Sequence, residues 1–332
     1  MKKTSLLCLM VTVGLFNSSA IARQYPMPEK GSDVVGYTEV VYPESGESFV
    51  ELSVKYEAGY DELKWANPNS NYWTPSPQMP IVLPFEYVLP TKRRSGSIVA
   101  NIPEMRAYYF PKNEDVVYVY PVGVGRMDWK TPLGSWKVTI KQEAPAWYPP
   151  ESIRREHKEM GKGILPAVVP AGPDNPLGNH VLRLNLPSYL LHGTNDVTGI
   201  GMRVTHGCMR FFPENIKELY RIVPSGTAVE FVNEPVKVGW KGDELVLEVH
   251  PTLEEDNLDI NGLKQIAYKV LAPYQNDPSI QMVDSRLIDL TIEKMSGLPT
   301  HVGQRIDPNN HNPQPQEGGS AINIDWDKFK NK

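Results

Sequence analysis

The stretch LHGTNDVTGIGMRVTHGCMR, residues 191–210, gathers the chemistry-bearing residues of this 332-residue chain. It holds Cys208, one of two cysteines, and His192 and His206, two of seven histidines, with Gly193, Gly199, Gly201 and Gly207 among them. A cysteine attacks as thiolate and needs a neighbouring base or cation to lower its pKa from about 8.5. Glycine allows tight turns and brings backbone N–H groups close to a substrate oxygen. Nucleophile, base and donor-rich backbone are the parts of acyl transfer. The residues alone do not choose the base: in extended chain i and i+2 share a face, so His206 as well as His192 can face Cys208. Arg210 lies two residues beyond Cys208, and its guanidinium suits a carboxylate or a bracing role. Zinc would need four ligands, or three plus water. No Cys-x-x-Cys or His-Glu-x-x-His is present, so neither metal nor cofactor is expected.

Outward from this stretch, residues 97–234 pattern as short strands: 98–102, 106–110, 116–122, 135–140, 181–186 and 228–232, separated by Pro, Gly, Asn and Asp. Helical signal is scarce until residues 213–221, where Ile216, Leu219 and Tyr220 mark one face behind Pro213 and Glu214. The 31 prolines are about 9% of the chain against a usual ~5%, which argues against a helical bundle. The expected class is mainly β, a sandwich or partial barrel. With 34 basic and 39 acidic residues the net charge is −5, so no basic surplus is available for nucleic acid.

Residues 1–22 read as a cleavable secretory signal: Lys2 and Lys3, an apolar run over 6–16, and Ala20-Ile21-Ala22 as cleavage site. Cleavage removes Cys8 and leaves Cys208 unpaired in an exported chain with no later run of ~18 apolar residues to span a membrane. Residues 36–85 read as strand, helix (Ser48 as N-cap with Glu51 completing a capping box), second helix and closing strand 81–84. The order Gly46-Glu47-Ser48, helix, Leu63 with Asn67, then Ile81-Val82-Leu83-Pro84 resembles a LysM domain, a family that binds N-acetylglucosamine glycans including peptidoglycan. Residues 87–97 read as an exposed connection.

Beyond the central region, residues 237–300 form an extension: a hairpin at Lys241-Gly242-Asp243, and amphipathic helices over 262–271 and 284–296, the second ended by Gly297 and Pro299. These helices are expected to cover a sheet edge or the rim of the central domain. Residues 307–332, the first half rich in Asn, Pro, Gln and Gly, read as a disordered tail.

His192-Gly193 followed by Thr205-His206-Gly207-Cys208-x-Arg210, with Thr131-Pro132-Leu133-Gly134 and the run from Gly172 to Gly178, resembles the L,D-transpeptidase catalytic domain, also called YkuD, over residues 97–234. Thr205 stands where serine is commoner and Met209 where a branched aliphatic is commoner. The resemblance implies a β-rich catalytic domain with Cys208 as nucleophile and His192 as proton acceptor and donor. Gly193 would orient the imidazole through its backbone carbonyl. His206 and Gly207 would shape the nucleophile turn, whose N–H groups, that of Cys208 included, would form the oxyanion hole. Substrate contacts would come from Arg210, Thr205, Trp147 and Tyr148. The implied reaction is periplasmic transfer from a peptidoglycan tetrapeptide stem, through a Cys208 thioester, to an amine. That amine is another stem, giving a 3-3 crosslink, or a lysine of an outer-membrane lipoprotein. The rival readings are an L,D-carboxypeptidase or amidase and a noncatalytic peptidoglycan-binding protein. Sortase lacks a match for the residue before Cys208, and papain-like enzymes reverse the order of cysteine and histidine. A carbapenem is expected to acylate Cys208.

Overall fold

The computed structural model describes residues 23–306; the expected signal peptide at 1–22 and the expected tail at 307–332 lie outside the described residues. The chain enters on two strands that the sequence pattern did not mark, β1 (Arg23–Pro26) and β2 (Val34–Gly36). Then β3 (Glu39–Val41), α1 (Phe49–Tyr56), α2 (Tyr60–Ala66) and β4 (Ile81–Leu83) make a βααβ unit closed by antiparallel β3–β4 pairing, and β5 (Glu86–Val88) returns beside β2. The capping box forms: the Glu51 N–H donates to Ser48 Oγ at 3.4 Å, and the Ser48 N–H to Glu51 Oε2 at 2.5 Å. Buried Asn67 pins α2 to β4, its amide donating to Leu63 O and Val82 O and accepting from the Val82 N–H, each at 2.8 Å.

The central region contains β6 (Ser97–Asn101), β7 (Arg106–Phe110), β8 (Val116–Gly125), β9 (Gly134–Glu143), α3 (Glu151–Glu159), β10 (His180–Leu184), β11 (Leu190–His192), β12 (Arg203–Thr205), β13 (Met209–Phe211), α4 (Pro213–Ile222) and β14 (Ala228–Val232). Pairings run β8–β13–β11–β10–β9–β14–β6–β7 and return to β8, so the ring closes where a sandwich or partial barrel was expected. The ten residues of β8 make this possible, because the strand pairs with β7 through its first half and with β13 beyond. Its two faces serve two cores. Tyr118, Tyr120, Val122 and Val124 pack with α4, while Val117 and Val119 pack against the N-terminal unit. The class is mixed α/β rather than mainly β. Helix α3 is a correction: no residue on it is buried, so it shows none of the apolar periodicity by which helices are read.

The C-terminal part is also larger than expected. β15 (Val236–Lys241) and β16 (Glu244–Val249) form the hairpin; α5 (Ile260–Gln275), β17 (Ile280–Met282), α6 (Ser285–Lys294) and β18 (Thr300–Arg305) follow. The four strands form one sheet, ordered β15-β16-β18-β17. Its core joins Leu245, Leu247 and Val302 to Leu263, Ala267, Leu271, Ile288 and Ile292. The helices therefore cover their own sheet rather than a rim of the barrel. Helix α6 ends at Met295, in the left-handed region, before Gly297 is reached. Among the described residues no helix is long and apolar enough to cross a membrane.

One buried ionic cluster ties the three parts together. Arg106 of β7 binds Glu62 of α2, and reaches Glu104 at 2.7 Å and Glu248 of β16 at 3.5 Å. The Lys237 ammonium lies 2.8 Å from Glu104, 2.9 Å from Glu248 and 2.6 Å from Val88 O. His250 Nε2 is 2.7 Å from Glu248 Oε1. Glu104, Glu248 and His250 are close enough together to ligate a metal, but the Lys237 ammonium already fills the cation position between the two carboxylates. Burial alone would raise the Glu248 pKa, yet Lys237, His250 and Arg106 more than offset it and hold the carboxyl well below its ordinary 4.5.

Removing one member should leave uncompensated charge in the interior. Lys237→Met is expected to lower unfolding free energy by about 3–5 kcal/mol, read from the urea midpoint. A carboxylate with a depressed folded pKa contributes stability above its unfolded value and loses it as pH falls. The wild-type midpoint should therefore drop below pH 4.5, the ordinary value for Glu248, and the variant should show a shallower drop.

Candidate active site

Parallel pairing of β11 with β13 sets Leu191 beside Met209 and His192 beside Arg210. Leu191, Met209 and Phe211 enter the core. The alternate positions, His192, Arg210 and Cys208 just before the strand, therefore share the opposite face. Cys208 is half-buried, and its Sγ lies 3.3 Å from Ser188 O, as donor.

The turn before it is tightly braced. Gly207 has φ +97°, and a Cβ there would stand 2.7 Å from the Tyr189 ring, so glycine is required. Thr205 Oγ1 donates to Cys208 O at 2.6 Å and accepts the Gly207 N–H at 3.2 Å. Thr131 Oγ1 donates to Gly207 O at 2.9 Å, and the Arg126 N–H donates to Thr205 O at 3.1 Å. Thr205 is buried with its hydroxyl engaged on both sides, so it braces the turn. The Gly207 N–H donates to that hydroxyl, which leaves the Cys208 N–H as the candidate oxyanion donor of the turn.

The two histidines, equivalent on residue pattern, differ in surroundings. His192 is 5% exposed, and its Nδ1 donates to Gly193 O at 2.6 Å. A carbonyl only accepts, so Nδ1 carries the proton and Nε2 is the free acceptor. Burial, with the Arg210 charge, pushes the His192 pKa down to about 3 against the pull of the Gly193 carbonyl. His206 is turned to other partners. Its Nε2 lies 2.5 Å from Glu156 Oε2, and its ring meets Trp129 edge-on at 5.1 Å between centroids. The same Glu156 carboxylate binds the Arg126 guanidinium. Burial is the largest single influence and raises its pKa, but the hydrogen bonds and charges of His206 and Arg126 together prevail and hold it below the usual range.

The thiol departs from the sequence expectation. Burial pushes Cys208 up to about 11, although the Leu190 backbone N–H and Arg210 favour the thiolate. Desolvation outweighs one nearby guanidinium, which is itself lowered by burial. At neutral pH the resting site is thus a thiol and a neutral imidazole. Arg210 lies over Gly199, where a Cβ would come within 3.1 Å of Nη1, and its buried Nε has no hydrogen-bond partner. Asp196 is held low first by hydrogen bonds from Thr198 and then by the Arg210 charge.

Trp147 pairs by backbone bonds with Val169 at the base of the segment carrying α3, and Tyr148 beside it is 67% exposed. Glu156, Arg126 and Asp196 were missed from sequence, and Thr131 was noted only as part of a motif, without its role at the turn. Each acts on the site through a fold contact, and of the three missed residues only Asp196, inside the 191–210 stretch, offered a positional signal. The segment between His192 and Cys208 also receives the N-terminal unit: the Tyr60 and Asp61 N–H groups donate to Ile200 O and Gly201 O at 3.2 and 3.1 Å. Gly201 has φ +73°, and a Cβ there would lie 2.2 Å from Gly59 Cα.

The family model for the L,D-transpeptidase catalytic domain, YkuD, matches residues 95–238. The chain is 36% identical over 307 residues to the probable L,D-transpeptidase YbiS of Escherichia coli K12, covering 91% of this chain and 99% of that protein. It is 34% identical over 307 residues to the probable L,D-transpeptidase ErfK/SrfK of the same strain, covering 91% and 97%. With the probable L,D-transpeptidase YcfS, also of that strain, identity is 38% over 290 residues, covering 85% and 89%.

Only thiolate is alkylated at a useful rate. With the Cys208 thiol near 11, iodoacetamide labelling should keep rising from about pH 7 to about pH 10 rather than levelling near the ordinary ~8.5. Mass spectrometry of the chain from residue 23, with Cys208→Ala as blank, measures this; a plateau near neutrality would contradict the burial argument.

Proposed function

The chain belongs to the L,D-transpeptidase family and acts on peptidoglycan, and we propose that Cys208 and His192 carry its acyl transfer. The observation that supports this is the common face of His192, Cys208 and Arg210, with His192 Nε2 left free by the Nδ1 bond to Gly193 O. Substrate entry displaces water and brings a carbonyl to the thiol. His192 Nε2 takes the Sγ proton as Sγ bonds to the carbonyl carbon of the third stem residue, a diamino acid. The Cys208 N–H is the proposed donor to the oxyanion. The C–N bond then breaks, and His192 returns the proton to the departing D-alanine amine, leaving a thioester. In the second half an acceptor amine attacks that carbonyl, its proton passes to His192, and the thiolate leaves and is reprotonated.

Arg210 is the proposed partner for a stem carboxylate, which would complete the unpartnered Nε. The βααβ unit supports a LysM-type glycan-binding role. It docks on the segment between His192 and Cys208 and would hold the sugar strand beside the site whose peptide is processed. The sequence signal and the relatives support a periplasmic setting. The acceptor is another stem or a lipoprotein lysine; water in its place would make the reaction a carboxypeptidase.

Chain from residue 23, mixed with disaccharide-tetrapeptides, should release D-alanine and form a linked dimer, read by mass spectrometry. Cys208→Ala should abolish both. Arg210→Lys should raise KM about 10- to 100-fold, the equivalent of about 1.5–3 kcal/mol for a lost charged hydrogen bond. Carbapenem should add one intact drug mass to the wild type and none to Cys208→Ala. Release of D-alanine without dimer, and a new adduct only when a lysine-ended peptide is supplied, would assign the lipoprotein acceptor.

A further inference from the structure

Between β9 and β10 the chain leaves the barrel at residues 144–179 and returns. The neck of this excursion is fastened: Trp147 and Val169 exchange backbone bonds at 2.8 Å, and buried Asn175 donates to Pro145 O at 2.7 Å and Pro170 O at 3.1 Å. Its far part is α3, which has no buried residue and so no apolar anchor. The ion pairs that join α3 to the barrel run through one side chain, Glu156, bound to His206 and to Arg126. Those two partners flank the nucleophile turn. His206 precedes Gly207 and Cys208 in it, and the Arg126 backbone N–H holds Thr205 O. The partners are only about a quarter exposed, at 30% and 26%, so solvent screens the pair less than at an open surface.

We propose that Glu156 is a positioning residue for the transfer reaction: it latches α3 to both sides of the nucleophile turn, so helix and turn are set as one unit. No other carboxylate among the described residues contacts His206. Without Glu156 the imidazole keeps only its edge contact with Trp129, and Arg126 keeps only Asp128, at 2.8 Å, as ionic partner. The turn would then lose its tie to the excursion, and Cys208 its fixed approach to the carbonyl. A misplacement of this kind is felt in kcat, because substrate binding elsewhere is untouched.

This rests on Cys208 being the nucleophile, and the test separates the two ideas. Full chain from residue 23 is compared with Glu156→Ala, Glu156→Gln and Cys208→Ala for tetrapeptide turnover and for tryptic cleavage at Arg154 and Arg155, exposed residues of α3. Glu156→Ala should lower kcat about 10- to 100-fold with little change in KM. It should also speed cleavage within α3, since an unlatched surface helix opens locally. Glu156→Gln keeps an acceptor for His206 and should recover part of kcat. Wild-type kcat in Glu156→Ala, with Cys208→Ala inactive, would overturn the latch and leave the nucleophile standing. Faster cleavage with unchanged kcat would reduce Glu156 to a structural tether and also overturn it. Turnover surviving in Cys208→Ala would overturn the nucleophile itself.

Discussion

The fold depends on two cations in its interior. Arg106 and Lys237 are fully buried, and each is tolerable only because carboxylates arrive from elsewhere: Glu62 from the N-terminal unit, Glu104 from the barrel and Glu248 from the C-terminal sheet. Burying such charges is expensive and an apolar replacement can be as stable, so the cluster is poor as a source of net stability. Its effect is on arrangement. A unit docked out of place would strand a guanidinium or a carboxylate away from water. Glu62 shows the economy of the design, with one oxygen capping the Gly59 N–H at 2.8 Å and the other binding Arg106. The cap that starts α2 is thus also the contact that fixes α2 on the barrel.

The site follows the opposite electrical logic. At rest it holds few charges, because burial keeps both Cys208 and His192 neutral. Arg210 is the fixed charge on that face, and it disfavours imidazolium while favouring thiolate. In the proposed mechanism, the proton transfer that makes thiolate and imidazolium is offset by the arriving carbonyl and by dipoles already in place. The rigid turn at residues 205–208, with every brace hydrogen-bonded before substrate arrives, is how such dipoles are held without reorganisation.

Where local chemistry decided an element, the sequence was readable. Ser48 with Glu51, Asn67 after α2, and the Gly242-Asp243 turn lie where their side-chain or backbone preferences put them. The cysteine, both histidines and the arginine were visible as a Gly-rich group, yet the residue pattern by itself did not show the difference between His192 and His206, and only the family resemblance separated them. That difference comes from Gly193 O on one side and Glu156 on the other, and Glu156 is fifty residues away on a helix with no apolar stripe. Strands β11, β12 and β13 have three residues each, too short for alternation to register. Strands β1, β17 and β18 exist because a partner edge awaits them, as with Arg23–Pro26 along Val116–Val119, and no local signal reports that.

The raised thiol pKa bears on how the protein survives its surroundings. Oxidants attack thiolate far faster than thiol, and so do disulfides seeking exchange. Cys208 is the one cysteine among the described residues, with no second thiol beside it to trap a sulfenic acid as a repairable disulfide. Holding it protonated until a substrate carbonyl arrives confines its reactivity to the moments of turnover. Between turnovers of the proposed reaction Cys208 rests as thiol, the form that oxidants attack slowly.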